Sequence, residues 1–172
     1  VGNASLLPGC KLFALVNVTG LSVTGLTFRD GGWFTFLLTN VEYAHLADLR
    51  LMPARDGIDL VGCRHVLAER LSVHGGNDDA FALKSDWSVG HRIDTHNMTL
   101  RDSDLSSNGC NCLQFGSETS GNFFDIHYHN VTCTQSGKSG IGISTNDGGN
   151  ISNIEYRDVT LIGSALPISF GS

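Results

Sequence analysis

Proline is scarce, charge is thin and long apolar runs are missing. Only 3 of the 172 residues are proline, and charged residues make up 16 %, against about 25 % in an ordinary globular domain. No apolar run approaches the roughly 20 residues of a membrane span, so no membrane association is expected. The formal net charge is −6 and there is no basic run or stripe, which argues against nucleic acid as a partner. No 11-residue window keeps an i, i+3, i+4, i+7 apolar pattern, which excludes a helical fold. The five cysteines match no zinc pattern. Cys110-Asn111-Cys112 is a single C-x-C with no second pair, so structural cysteines are expected and the compartment stays open. The chain starts at Val1 without a signal peptide and stops after an apolar pair. A single domain over 1–172, truncated at both ends, is the expected organisation.

What is abundant is glycine, at 21 residues, together with Asn, Val, Ile, Leu and Thr. This mixture suits many short strands joined by tight turns. A repeat runs through it. Apolar-x-apolar triplets recur as Leu26-Thr27-Phe28, Leu49-Arg50-Leu51, Leu71-Ser72-Val73, Ser103-Asp104-Leu105, Val131-Thr132-Cys133 and Val159-Thr160-Leu161, with steps of 23, 22, 32, 28 and 28 residues. A second series follows: Phe34-Thr35-Phe36, Ile58-Asp59-Leu60, Phe81-Ala82-Leu83, Leu113-Gln114-Phe115, Ile141-Gly142-Ile143 and Ile168-Ser169-Phe170. Its steps are 24, 23, 32, 28 and 27 residues. Two series with one rhythm predict an all-β solenoid, a right-handed parallel β-helix of about six coils. A leucine-rich repeat would need an L-x-x-L-x-L-x-x-N signature, which is absent.

Stacked coils lie roughly 4.8 Å apart, so residues at one coil position form a column. One column is predicted to hold Asp56, Asp79, Asn111 and Ser139, and the column before it Arg55, Asp78, Cys110 and Lys138. Asp56, Asp78 and Asp79 then cluster. Crowded carboxylates repel, and one of them is expected to hold its proton to unusually high pH. That suits general acid and base work on a glycosidic bond, where inverting enzymes separate the two carboxyls by about 6.5–9.5 Å. Turn aspartates without chemistry, or a calcium site with several oxygen ligands, fit the same spacing.

Pro53-Ala54-Arg55-Asp56-Gly57-Ile58-Asp59-Leu60, followed by Gly76-Asn77-Asp78-Asp79-Ala80-Phe81-Ala82-Leu83-Lys84-Ser85, resembles glycoside hydrolase family 28. These are the polygalacturonase-like, pectin-degrading β-helix enzymes of cell-wall breakdown. The family pattern is Asn-Thr-Asp-Gly-Ile-Asp, then Gly-Asp-Asp-Cys-Ile-Ala-Leu-Lys-Ser. The resemblance implies that Asp78 protonates the leaving oxygen while Asp56 and Asp79 activate water. It implies a secreted, monomeric hydrolase with a polysaccharide substrate and neither metal nor cofactor. Departures concern the grip on substrate. Asn111 stands where the family's Gly-His-Gly has histidine, Gly142-Ile143-Ser144 where it has Arg-Ile-Lys, and Ala80 where it has cysteine. A uronate carboxylate needs a cation, so Asn111 and Arg55 are the candidate substrate-binding residues, and a neutral glycan becomes an alternative substrate. A calcium-dependent polysaccharide lyase and a non-catalytic carbohydrate-binding solenoid are the competing readings.

Other features are weighed more briefly. Asn3, Asn17, Asn97, Asn130 and Asn150 head Asn-x-Ser/Thr triplets and fit either glycosylation or repeat turns. His127 and His129 share a strand face, as metal ligands or as a polar surface pair. His74 could tune the acidic turn, Glu118 and Asp86 could line the same cleft, and Trp33 and Trp87 could offer platforms for sugar, although Trp33 is expected in the core.

Overall fold

A computed structural model describes residues 11–171. Asn3 and Cys10 lie outside the described residues. Thirteen strands run through them: β1 (Lys11–Thr24), β2 (Thr27–Gly31), β3 (Phe34–Ala47), β4 (Arg50–Pro53), β5 (Asp56–Val61), β6 (Arg64–Glu69), β7 (Ser72–Gly76), β8 (Phe81–Ser85), β9 (Thr95–Ser107), β10 (Leu113–Thr119), β11 (Phe123–Ser144), β12 (Ile151–Leu161) and β13 (Ser164–Gly171). Every pairing is parallel and joins residues one repeat apart. Phe28 pairs with Leu51, and Leu51 with Val73. Val73 then pairs with Leu105, Leu105 with Cys133, and Cys133 with Leu161. The first triplet series is therefore in the predicted register. In the second series Ile58, Phe81, Leu113, Ile141 and Ile168 also align. The first member is displaced by two: Phe36, not Phe34, faces Ile58.

The expected open right-handed parallel β-helix is corrected by how the pairing closes. Strands β3, β5, β8, β10, β11, β9 and β6 form a ring of hydrogen-bonded neighbours that returns to β3. In pairing terms this is a closed seven-stranded parallel barrel, and the remaining strands lie outside the ring. The cause is strand length. Residues 34–39 of β3 pair with β5, and residues 42–47 of the same strand pair with β6. In β11, residues 123–136 pair with β9 and residues 141–143 with β10. Short triplets in the sequence mark where side chains turn inward, but not that a strand continues through a corner.

Corners are turned without breaking the strands by residues in the left-handed backbone region. Asn97, Asp125 and Asn153 do so at φ 52°, 56° and 50°, and Asp102, Asn130 and Asp158 at 51°, 52° and 54°. Asn and Asp tolerate this region because their short polar side chains bond locally. Here they bond along the column. Asn130 Nδ2 donates to Asp102 Oδ1 at 2.8 Å, and Asn97 Nδ2 lies 2.7 Å from His65 Nδ1. Asn17 Oδ1 accepts from Asn40 at 2.7 Å. Three of the glycosylation-like triplets thus have a structural use at corners.

Inward side chains form one core. Phe36, Leu38, Ile58, Leu60, Leu83 and Phe115 are fully buried along one ladder, and Leu46, Ala68 and Tyr128 along another. Each large apolar side chain so buried contributes about 1.5–3 kcal/mol. Aromatic rings stack between neighbouring strands, as Phe13 on Phe36 at 4.6 Å and Tyr128 on Tyr156 at 4.7 Å. Cys112 and Cys133 are joined in a buried disulfide, while Cys63 is a buried free thiol. The bridge closes 21 residues of separation. Reduction is expected to lower unfolding free energy by about 3 kcal/mol through the regained entropy of the open chain. Urea unfolding with and without reductant measures it; an unchanged midpoint refutes it.

Candidate functional site

The site forms where the chain enters β5 and β8. Asp56 N donates to Trp33 O at 3.0 Å, Gly57 N to Asp79 O at 2.9 Å, and Ala80 N to Asn111 O at 3.0 Å. These bonds stack Asp56, Asp79 and Asn111 as the column argument predicts. Asp78 N donates to Arg55 O at 3.2 Å, and Lys138 N to Cys110 O at 2.9 Å, which builds the preceding column. Gly57 is required between them: a Cβ there would sit 2.3 Å from Ala80 O, forcing apart the segments that carry Asp56 and Asp79.

Each carboxylate has a different environment. Asp56 is 2 % exposed, and its Oδ2 has no hydrogen-bond partner among the described residues. Asp78 is more open, with 22 % of its side chain accessible, and forms a 2.7 Å ion pair with Arg55 Nη2. The same guanidinium reaches Asp56 Oδ2 at 3.6 Å and lies 4.9 Å from the centre of the Trp33 ring. Asp79 Oδ1 accepts from both the backbone N and the side-chain Nδ2 of Asn111, each at 2.9 Å. Asn111 Oδ1 in turn accepts from Ser139 Oγ at 2.6 Å. Arg55 and Asn111 are therefore in contact with the aspartates themselves.

Protonation follows from burial. Burial pushes the Asp56 carboxyl up to about 8, helped by the neighbouring charges of Asp59 and Asp78 and opposed by Lys84 and Arg55. Burial also raises Asp79, against the two hydrogen bonds from Asn111. Asp56 is therefore the carboxyl of the three that keeps its proton to the highest pH shown, about 8.

Sequence reasoning missed a second layer. Asp59 is fully buried and ion-paired to Lys84 Nζ at 2.8 Å. Burial raises Asp59 to about 6 despite Lys84. Lys84 also approaches Glu118 at 3.5 Å. A usable signal exists: Asp59 pairs with Ala82, and Lys84 lies two residues beyond on the same face, the diagonal reach of a long side chain.

Other expectations fare variously. Trp33 is not in the core; it is 38 % exposed beneath Arg55, at the bend that precedes β3. Trp87 is 63 % exposed. His74 contacts Ser106 and Asp104 rather than the acidic turn. Asp86 caps its own loop through Ser88 N at 2.8 Å. Two depressions flank the acids. One of about 160 Å³ is lined by Trp33, Ala54, Arg55 and Asn77. A second, of about 480 Å³, is lined by Asn111, Gln114, Lys138, Ser139, Ser144 and Ser169. Gln114 Oε1 is buried there without a partner.

The chain matches no family model, and no curated protein matches it significantly.

The Asp56 environment has a stability consequence with a definite sign. Its folded value lies far above the ordinary 3.8, so the folded state retains a proton that the unfolded state loses. The cost is absent below about pH 4 and grows as pH rises towards 8. Asp56→Asn removes it. The variant is expected to unfold at higher urea than the parent at pH 8, with the gap closing towards pH 4. A gap that widens on acidification contradicts the buried-acid assignment.

Proposed function

We propose that this protein is an inverting glycoside hydrolase acting on a polysaccharide, with Asp56, Asp78 and Asp79 as the cleavage machinery. One observation carries the reading: Asp56, a buried carboxyl that keeps its proton, stands with Asp78 and Asp79 between two depressions, each large enough to take part of a glycan. The resemblance of the two aspartate segments to glycoside hydrolase family 28 supports the same chemistry.

Asp78 is the most open of the three and meets the glycosidic oxygen. The proton kept at Asp56 reaches that oxygen by way of Asp78 as the bond to the anomeric carbon breaks. Asp79 takes a proton from water as the water oxygen attacks the opposite face. Arg55 covers the set in the free protein, so substrate entry slides the guanidinium aside over Trp33. The depression beyond Asn111 offers amides, hydroxyls and the single cation Lys138. That lining suits a neutral or sparsely charged glycan better than a fully acidic one. The buried Cys112–Cys133 bridge fits a secreted protein, since disulfides persist in oxidising compartments.

The lyase alternative would need Asp78 to exchange its 2.7 Å ion pair with Arg55 for a calcium ion. A non-catalytic carbohydrate-binding role has one specific observation in its favour, the Arg55 cover over Asp56.

Incubation with pectic and neutral polysaccharides, with and without chelator, tests the reading. New reducing ends without unsaturated products, lost in Asp78→Asn, are expected. Hydrolysis that survives Asp78→Asn removes Asp78 from the mechanism. Because the reaction draws on the proton kept at Asp56, kcat/KM is expected to fall as pH rises through about 8. Binding without cleavage by the parent and by Arg55→Thr alike would leave a binding module.

A further inference from the structure

Away from the acids, on the ladder joining β9, β11 and β12, three ligating side chains converge. His127 and His129 project from one face of β11, and Glu155 stands on β12 in register with His127. Glu155 Oε2 lies 3.2 Å from His127 Nδ1 and 2.6 Å from His129 Nε2. One donor atom from each residue falls within 4.8 Å of the others. The carboxylate that completes the set is 28 residues from His127, one repeat on, which is why the histidine pair looks isolated in the sequence. We propose that His127, His129 and Glu155 bind a divalent transition-metal ion of the zinc type.

Two imidazoles and a carboxylate are the donor set of open zinc sites, which fill the remaining position with water. Nitrogen donors select zinc, nickel or copper over calcium and magnesium, which prefer oxygen. All three side chains are accessible, at 35 %, 24 % and 46 %, so an ion can enter without unfolding anything. The surrounding charges bear on affinity. Arg101, the strand partner of His129 on β9, is already committed to Glu69 at 2.8 Å. Arg157 is not: its Nη2 lies 3.0 Å from His129 Nδ1. Donation there leaves the ring proton on Nε2, the nitrogen a metal would take. Binding therefore moves that proton to Nδ1, which then no longer accepts from Arg157 and turns the guanidinium away, so Arg157 acts as a brake on the site.

Calorimetric titration of the chain with Zn²⁺ tests this, with Co²⁺ as a spectroscopic probe. One ion per chain is expected, with the visible absorption of four-coordinate Co²⁺. His127→Ala, His129→Ala and Glu155→Gln should each weaken binding by about tenfold or more, and Arg157→Gln should tighten it. Circular dichroism checks that these surface variants keep the fold. Absence of saturable binding, or full retention in the His127→Ala/His129→Ala double variant, overturns the site. An unchanged affinity in Arg157→Gln overturns the brake.

Discussion

In-register parallel stacking governs this molecule. Each residue of a strand has a counterpart one repeat away at the strand spacing of roughly 4.8 Å. Apolar residues gain from this, since like stacks on like and a continuous core results. Polar residues do not gain by default. A column of carboxylates is a column of repulsion, and a column of amides is useful only if donors meet acceptors. The corner residues satisfy the rule through Asn130 to Asp102 and Asn40 to Asn17.

The acidic site breaks the rule and is held by neighbours. Asp56 and Asp79 occupy one column, and Asp78 and Asp59 lie on either side in the chain. Arg55 meets two of the acids, Lys84 one, and Asn111 another. Burial nevertheless wins at Asp56, where one oxygen is left without a partner. Such unresolved repulsion is expensive for a structural turn, and it is the ordinary condition of a site that handles protons.

Much of the ladder was legible because inward side chains alternate and the triplets repeat. The single slip, Phe34 for Phe36, has a physical cause. Both residues have the same parity in a strand, so alternation cannot tell a shift of two from none. The Asp56–Asp79–Asn111 column followed from counting alone. Closure of the strand ring did not, because nothing in Asn97 or Asn130 announces that a strand passes through the corner intact. The Asp59–Lys84 pair was hidden on a diagonal, Glu155 a full repeat from its histidines, and the Cys112–Cys133 bridge behind an odd cysteine count.

The connection between β8 and β9 makes one repeat 32 residues long where its predecessors are 22 or 23. Its extra length is spent in a loop over residues 86–94. On either side the ladders resume undisturbed, with Leu83 facing Phe115 and His96 facing Phe124. Alignment is renewed by each strand pair locally, so an insertion at a corner displaces nothing downstream. Chain length at the corners is thereby uncoupled from order in the ladders. Such an architecture can lengthen its corners one at a time while its ladders keep their register.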